Sequence, residues 1–191
     1  MWNLLAGQGL LGAIEATLGA VVVVVGDSAH EFEAFVRADY RSLARFGRLL
    51  TGDAGLGEDL AQTALTKVYV RWSGLRTAEA AGAYTRKVMV REAGRRRRRR
   101  WVGELPTEGV GDVPFATDEV ERAILASSVL RALQQLPVDQ RAVLVLRYYE
   151  QRSESEIAEL LGISTGTVKS RASRGLAALR ADGVLTTMEA S

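Results

Sequence analysis

Apolar residues recur at intervals of three and four along most of this chain. The first run is Phe32, Val36, Tyr40, Leu43, Phe46 and Leu50, which predicts an amphipathic helix ended by the T-G-D-A-G of residues 51–55. A second helix is predicted from about residue 56 to residue 72. Its inward face would carry Leu56, Leu60, Ala64 or Leu65, Val68 and Trp72, and its polar face Glu58, Asp59, Gln62, Thr63, Thr66 and Lys67. A third helix is predicted from about Ala80 through Tyr84, Val88 and Met89 into the six arginines of residues 95–100. Residues 102–117, with two prolines, three glycines and several acids but no sustained period, read as a linker. Beyond residue 118 the helical spacing returns in Leu125, Val129, Leu133 and Leu136, and Pro137 suits the first turn of a following helix. The run Val143, Leu144, Val145, Leu146 fits a buried strand as well as a helix by period alone. With no partner strand pattern elsewhere in the chain, it reads as a helix packed under the segment that follows.

That segment, residues 153–180, organises the rest. Ser153 and Glu156 form an S-x-x-E capping box, so a helix should start there and bury Ile157, Leu160 and Leu161. Ala158 leaves room for close helix approach, Gly162 permits the left-handed backbone of a tight turn, and Ile163 plugs the corner beneath it. Ser164 then caps a second helix with Val168, Ala172, Leu176 and Leu179 on one side and Lys169, Arg171, Arg174 and Arg180 on the others. The two helices read as a helix-turn-helix whose second helix can enter a major groove. Its first turns would offer Thr165, Thr167, Lys169 and Ser170 to base edges, with Arg171 and Arg174 toward phosphates. The plainer alternative is a helical hairpin with a solvated basic face.

Composition narrows the chemistry. At 191 residues and 47% hydrophobic content, the chain suits one domain or two small ones. The lack of cysteine excludes disulfides and thiolate sites, and with His30 as the sole histidine neither a metal site nor a Ser-His-Asp centre is expected. No cofactor is expected either. The net charge of +2 hides segregation: residues 84–100 carry nine basic residues against Glu92, whereas residues 101–121 carry six acids and no base. Residues 1–26 are apolar and glycine-rich, but Glu15 sits in the middle and no basic residue precedes it. Signal peptide and membrane anchor both fit poorly, so residues 1–28 are expected to be an extension outside the fold.

Six consecutive arginines sweep around a helix at 100° per residue and repel one another, which favours a polyanion alongside. Trp101 closes the run, with Tyr69, Trp72 and Tyr84 nearby. An exposed aromatic among them could stack on an unpaired base, an interaction worth about 1–3 kcal/mol. A solubilising charge run is the bland alternative.

Together these features resemble the extracytoplasmic-function group of bacterial RNA polymerase sigma factors, most closely its actinobacterial SigE-like subgroup. The resemblance covers roughly residues 31–185. GEDLAQTALTKVYVRW is similar to the region-2 helix that docks on the clamp helices of polymerase β′, which implies Asp59, Gln62 and Lys67 as polymerase-binding residues; Thr63 stands where an acid is common. AYTRKVMVREAGRRRRRRW is similar to the segment that recognises and melts the minus-10 element, implying Tyr84, Arg86, Lys87, Arg91, Arg95, Arg96 and Trp101 for that work, with residues 73–83 where the family captures a flipped base. Residues 136–180 are similar to region 4, which reads the minus-35 element and touches the β flap, so Ser164, Thr165, Thr167, Lys169, Ser170, Arg171 and Arg174 become the implied upstream readers.

The expected architecture is all-α, with region 2 at residues 29–101, a flexible acidic linker at 102–117, region 4 at 118–185 and a tail at 186–191. The implied partners are core RNA polymerase, promoter DNA and, as a further option, an anti-sigma factor, in the cytoplasm and with no membrane. The implied protein is not an enzyme. A stand-alone helix-turn-helix regulator that binds duplex DNA as a dimer is the alternative, but it leaves the first basic helix unexplained. A nuclease using Glu58 and Asp59 is a distant third, because adjacent helical residues point about 100° apart.

Overall fold

A computed structural model describes residues 27–75, 77–101 and 128–181. The expected linker and tail, with Leu125, lie outside the described residues, as does the expected extension through residue 26, whereas residues 27 and 28, placed in it, begin the first helix. All described regular structure is helical: α1 (Asp27–Thr51), α2 (Ala54–Tyr69), a 3₁₀ turn (Trp72–Gly74), α3 (Ala78–Trp101), α4 (Ser128–Gln135), α5 (Val138–Leu144), a π-helical turn (Val145–Tyr149), α6 (Glu154–Leu161) and α7 (Thr165–Ala181). Of residues 73–83, assigned by resemblance to base capture, 78–83 are the first turns of α3.

The first unit is α1 to α3. Asp53 caps α2 by accepting from the Leu56 N–H at 2.8 Å, and that turn folds α2 back along α1. The two helices touch backbone to backbone: a Cβ on Gly57 would lie 2.4 Å from the Arg48 nitrogen, and one on Gly47 2.3 Å from the Gly57 carbonyl oxygen. This closeness brings Leu43, Phe46 and Leu50 of α1 onto Leu60, Ala64 and Leu65 of α2, with Met89 of α3 in the same fully buried core. At the other end Phe32 packs against Tyr69 (centroids 4.9 Å apart) and edge-on against Trp72 (5.1 Å), with Phe35 also 5.3 Å from Trp72. Tyr69 and Trp72 therefore belong to the core rather than to a stacking surface.

The second unit is α4 to α7. The ambiguous run of residues 142–146 is helical and buried on every side, which is why no amphipathic period marks it. Pro137 stands at the N-cap of α5, one position before its first turn. The π turn ends with the Glu150 N–H bonded to the Val145 carbonyl at 3.0 Å. The helix-turn-helix forms as its sequence requires. Both halves of the Ser153/Glu156 capping box are made, and Gly162 is left-handed at φ 68°. Ile157, Ala158, Leu160, Val168, Ala172 and Leu179 are buried, and Ile163 packs against them.

The two units are not separate bodies. α3 packs on α5 and α6, and α1 on α4, α5 and the π turn, so one continuous apolar core runs through both.

Candidate nucleic-acid interface

Ser164 caps α7: its hydroxyl accepts from the Thr167 N–H at 3.1 Å and lies 2.8 Å from the Thr167 hydroxyl. Thr165, Lys169, Ser170 and Arg174 are exposed, whereas Val168 and Ala172 are buried. Ser170 Oγ donates to the Thr167 carbonyl and Arg174 Nε to the Ser170 carbonyl, which lays both side chains along the helix surface. Lys169 is held 3.6 Å from Glu154, and Glu154 also pairs with Arg147, so α6 links α7 to the π turn. The Arg147 hydrogen bond holds the Glu154 carboxyl below its usual range. Arg171 differs. It is half-buried, with Nε 3.1 Å from Asp139 at the start of α5, so it fastens α7 to its own unit instead of facing outward.

On α3, Tyr84, Lys87, Arg91 and Arg95 follow at spacings of three, four and four and form one stripe. Arg91 and Arg95 are exposed. Tyr84 is half-buried. Arg71, which the sequence reading did not single out, lies 5.8 Å above its ring and donates to its hydroxyl at 2.6 Å. The remaining arginines diverge as the helix turns: Arg96 reaches Thr63 at 3.4 Å, and Arg97 donates to the Leu136 carbonyl at 2.6 Å. The side chain of Trp101 lies outside the described residues.

Arg86 corrects its sequence expectation. Rather than facing DNA, its guanidinium points across the contact between the units, where Nε donates to Glu150 at 2.7 Å, Nη2 to Ser42 at 2.8 Å and Nη1 to the Gly82 carbonyl at 3.2 Å. The two charged side chains are only 7% and 9% exposed. Arg86 sits off the Tyr84 stripe, one residue before Lys87, so helix phase alone turns it inward.

A second fastener was also missed. Arg141 is buried and donates to the Leu50 carbonyl at the end of α1, to both the carbonyl and side chain of Gln134, and to the Leu136 carbonyl. Burial, and then the charge of Arg97, push its guanidinium down to about 10. The cavity of about 280 Å³ beside it is lined by Arg96, Arg97 and Arg141, but all three already donate to protein oxygens.

On α2, Asp59 and Gln62 are exposed, whereas Lys67 is paired with Glu92 of α3 at 2.5 Å. That hydrogen bond holds the Glu92 carboxyl below its usual range. Burial, and then the neighbouring Asp59 charge, raise the Glu58 carboxyl. Among the described residues no cluster of carboxylates and histidine suits a metal ion, and no helix is long and apolar enough to cross a membrane.

Comparison with known proteins agrees with this geometry. The family description "Sigma-70, region 4" matches residues 126–179. The RNA polymerase sigma-E factor of Streptomyces avermitilis is 41% identical over 150 residues, covering 78% of this chain and 83% of the relative. The RNA polymerase sigma-E factor of Streptomyces coelicolor is 40% identical over 163 residues, covering 84% and 90%. The ECF RNA polymerase sigma factor SigM of Mycobacterium tuberculosis is 34% identical, covering 82% and 78%. The fold is shared with the sigma factor RpoE solved in complex with the anti-sigma factor NepR from Bartonella quintana. That match has a TM-score of 0.60 at 20% identity and covers 78% of this chain and 94% of that one. The chain therefore belongs to the extracytoplasmic-function RNA polymerase sigma factors, in their actinobacterial sigma-E-like group, and serves promoter-directed transcription initiation with core polymerase.

Proposed function

We propose that the exposed face of α7 reads the minus-35 element while the stripe on α3 engages the minus-10 element as its strands part. Thr165, Lys169 and Ser170 supply base contacts, Thr167 and Ser164 shape the helix entry, and Arg174 meets phosphate. Tyr84, Lys87, Arg91 and Arg95 supply the downstream surface, with Arg71 beside Tyr84. Asp59 and Gln62, with Lys67 behind them, meet the β′ clamp helices, and region 4 meets the β flap. In this assignment residues 29–101 form region 2, 118–185 region 4 and 102–117 the segment that joins them. Promoter choice comes from binding energy, and catalysis stays with the polymerase.

The observation that carries this reading is the presence of two distinct exposed basic faces on one chain, on α7 and on α3. A dimeric regulator of duplex DNA needs only the first. The protein works where the polymerase works, in the cytoplasm. An anti-sigma factor is a further proposed partner, on the ground that the RpoE neighbour was solved with one.

The test separates reading from positioning. With core polymerase bound, Lys169→Ala should change the preferred minus-35 sequence. Arg174→Ala should weaken all promoters alike and flatten the log-log salt slope by about 0.9. An unchanged preference for Lys169→Ala would show that α7 enters the groove in another orientation.

A further inference from the structure

The end of α1, the start of α2, the second half of α3 and the α4–α5 junction enclose the cavity of about 280 Å³, and its charge is of one sign. Leu50, Leu56 and Val138 give it apolar walls, and among the described residues no carboxylate lines it. Arg141 is 3% exposed. It donates to the Leu50, Gln134 and Leu136 carbonyls and to the Gln134 side chain, all neutral oxygens, and its Nε is buried with no hydrogen-bond partner among the described residues. A buried guanidinium met only by neutral oxygens keeps an uncompensated charge. Arg97 adds a second charge of the same sign, which joins burial in pushing Arg141 down to about 10.

Arg97 and Arg96 are only partly engaged by the protein. Arg97 Nη1 donates to the Leu136 carbonyl, and Arg96 Nη2 reaches the Thr63 hydroxyl at 3.4 Å. Their other N–H groups make no hydrogen bond among the described residues. Glu92 is near enough to Arg96 to feel its charge, but it is bonded to Lys67 and Arg95.

We propose that this cavity is a binding site for a diphosphate group, whose oxygens take the free N–H groups of Arg96 and Arg97 while Arg141 supplies charge from the floor. The planar guanidinium fork matches phosphate oxygens two at a time. Three guanidiniums without a carboxylate call for more than one negative charge, which a diphosphate brings and a chloride does not. The volume lies just below the range of about 300–1,000 Å³ usual for pockets that enclose a drug-sized ligand, so a diphosphate fits inside and a nucleoside attached to it stays outside. A terminal phosphate can enter such a concavity end-on, whereas a phosphate of a DNA backbone carries a sugar on either side.

The test is a calorimetric titration of the full-length protein with inorganic diphosphate, at constant ionic strength and without divalent cations. One diphosphate should bind per chain with a Kd below about 1 mM. The melting temperature should rise with diphosphate concentration, because the site exists only in the folded chain. Arg97→Gln should weaken binding about tenfold, the usual effect of losing a hydrogen bond to a charged group. Arg97→Lys, which keeps the charge but not the fork, should recover only part of it. Arg98→Gln, exposed in the same arginine run but not lining the cavity, should stay within twofold of the unsubstituted protein. Adenosine diphosphate in place of the inorganic anion identifies the source: equal or weaker affinity assigns the free anion, and tighter affinity a nucleotide with its base outside the cavity.

No saturable binding of inorganic diphosphate would overturn the proposal. So would an equal loss in Arg97→Gln and Arg98→Gln, which would assign the binding to the arginine run as a whole. If Arg97→Gln, which also loses its bond to the Leu136 carbonyl, does not fold by circular dichroism, Arg96→Gln carries the same expectation and the same refutation.

Discussion

Glu92, Glu154 and Glu156 each accept a hydrogen bond that favours the charged carboxylate, from Lys67, Arg147 and Ser153 respectively. Their folded values lie below the ordinary glutamate value of 4.5, so their contribution is complete at neutral pH and is lost as pH falls through the depressed values. Glu58, raised by burial and by Asp59, acts in the opposite sense. The melting temperature should hold from neutral pH to about 5 and then drop on further acidification. Glu156→Gln should make that drop shallower in thermal melts; a melting temperature that climbed below pH 5 would contradict these assignments. At this scale the capping box, the turn glycine and the exposed part of α7 were legible, because each depends on neighbours within four residues. The roles of Arg86 and Arg171 were not. Their partners, Glu150 and Asp139, are distant in sequence, and helix phase shows which way a side chain turns but not which residue it meets.

Among the elements, α1, α2 and α3 could be read from their apolar spacing, and so could both helices of the helix-turn-helix. The buried α5 with its π turn could not be typed by period, since a helix covered on all sides has no polar face to phase against. The crossing of α1 and α2 also escaped notice, because Gly47 and Gly57 look like ordinary weak points in helices until their backbones are seen in contact. Gly57→Ala should push the helices apart and cost about 1–3 kcal/mol, the usual range for overpacking. Denaturant unfolding of the full chain would measure it. Gly94→Ala, which meets nothing within 4 Å, is the control and should be neutral or mildly stabilising. Equal stabilities for the two variants would refute the close crossing.

For the whole molecule, the sequence pointed to two helical units in the right order but not to their docking. Docking is made by guanidinium groups reaching carbonyls and a carboxylate of the other unit: Arg97 and Arg141 around Leu50 and Leu136, and Arg86 on Glu150. Part of the charge that composition marks as nucleic-acid surface therefore holds the protein together, and Arg91, Arg95 and one face of α7 are left exposed. The central claim is that these faces serve promoter selection by core polymerase. It is tested most directly by transcription of genomic fragments with purified core RNA polymerase, with and without this protein. Discrete transcripts that appear only with the protein, and whose start sites share two upstream elements, are the predicted result. Tight palindromic duplex binding by the protein alone, with no core-dependent transcript, would contradict it.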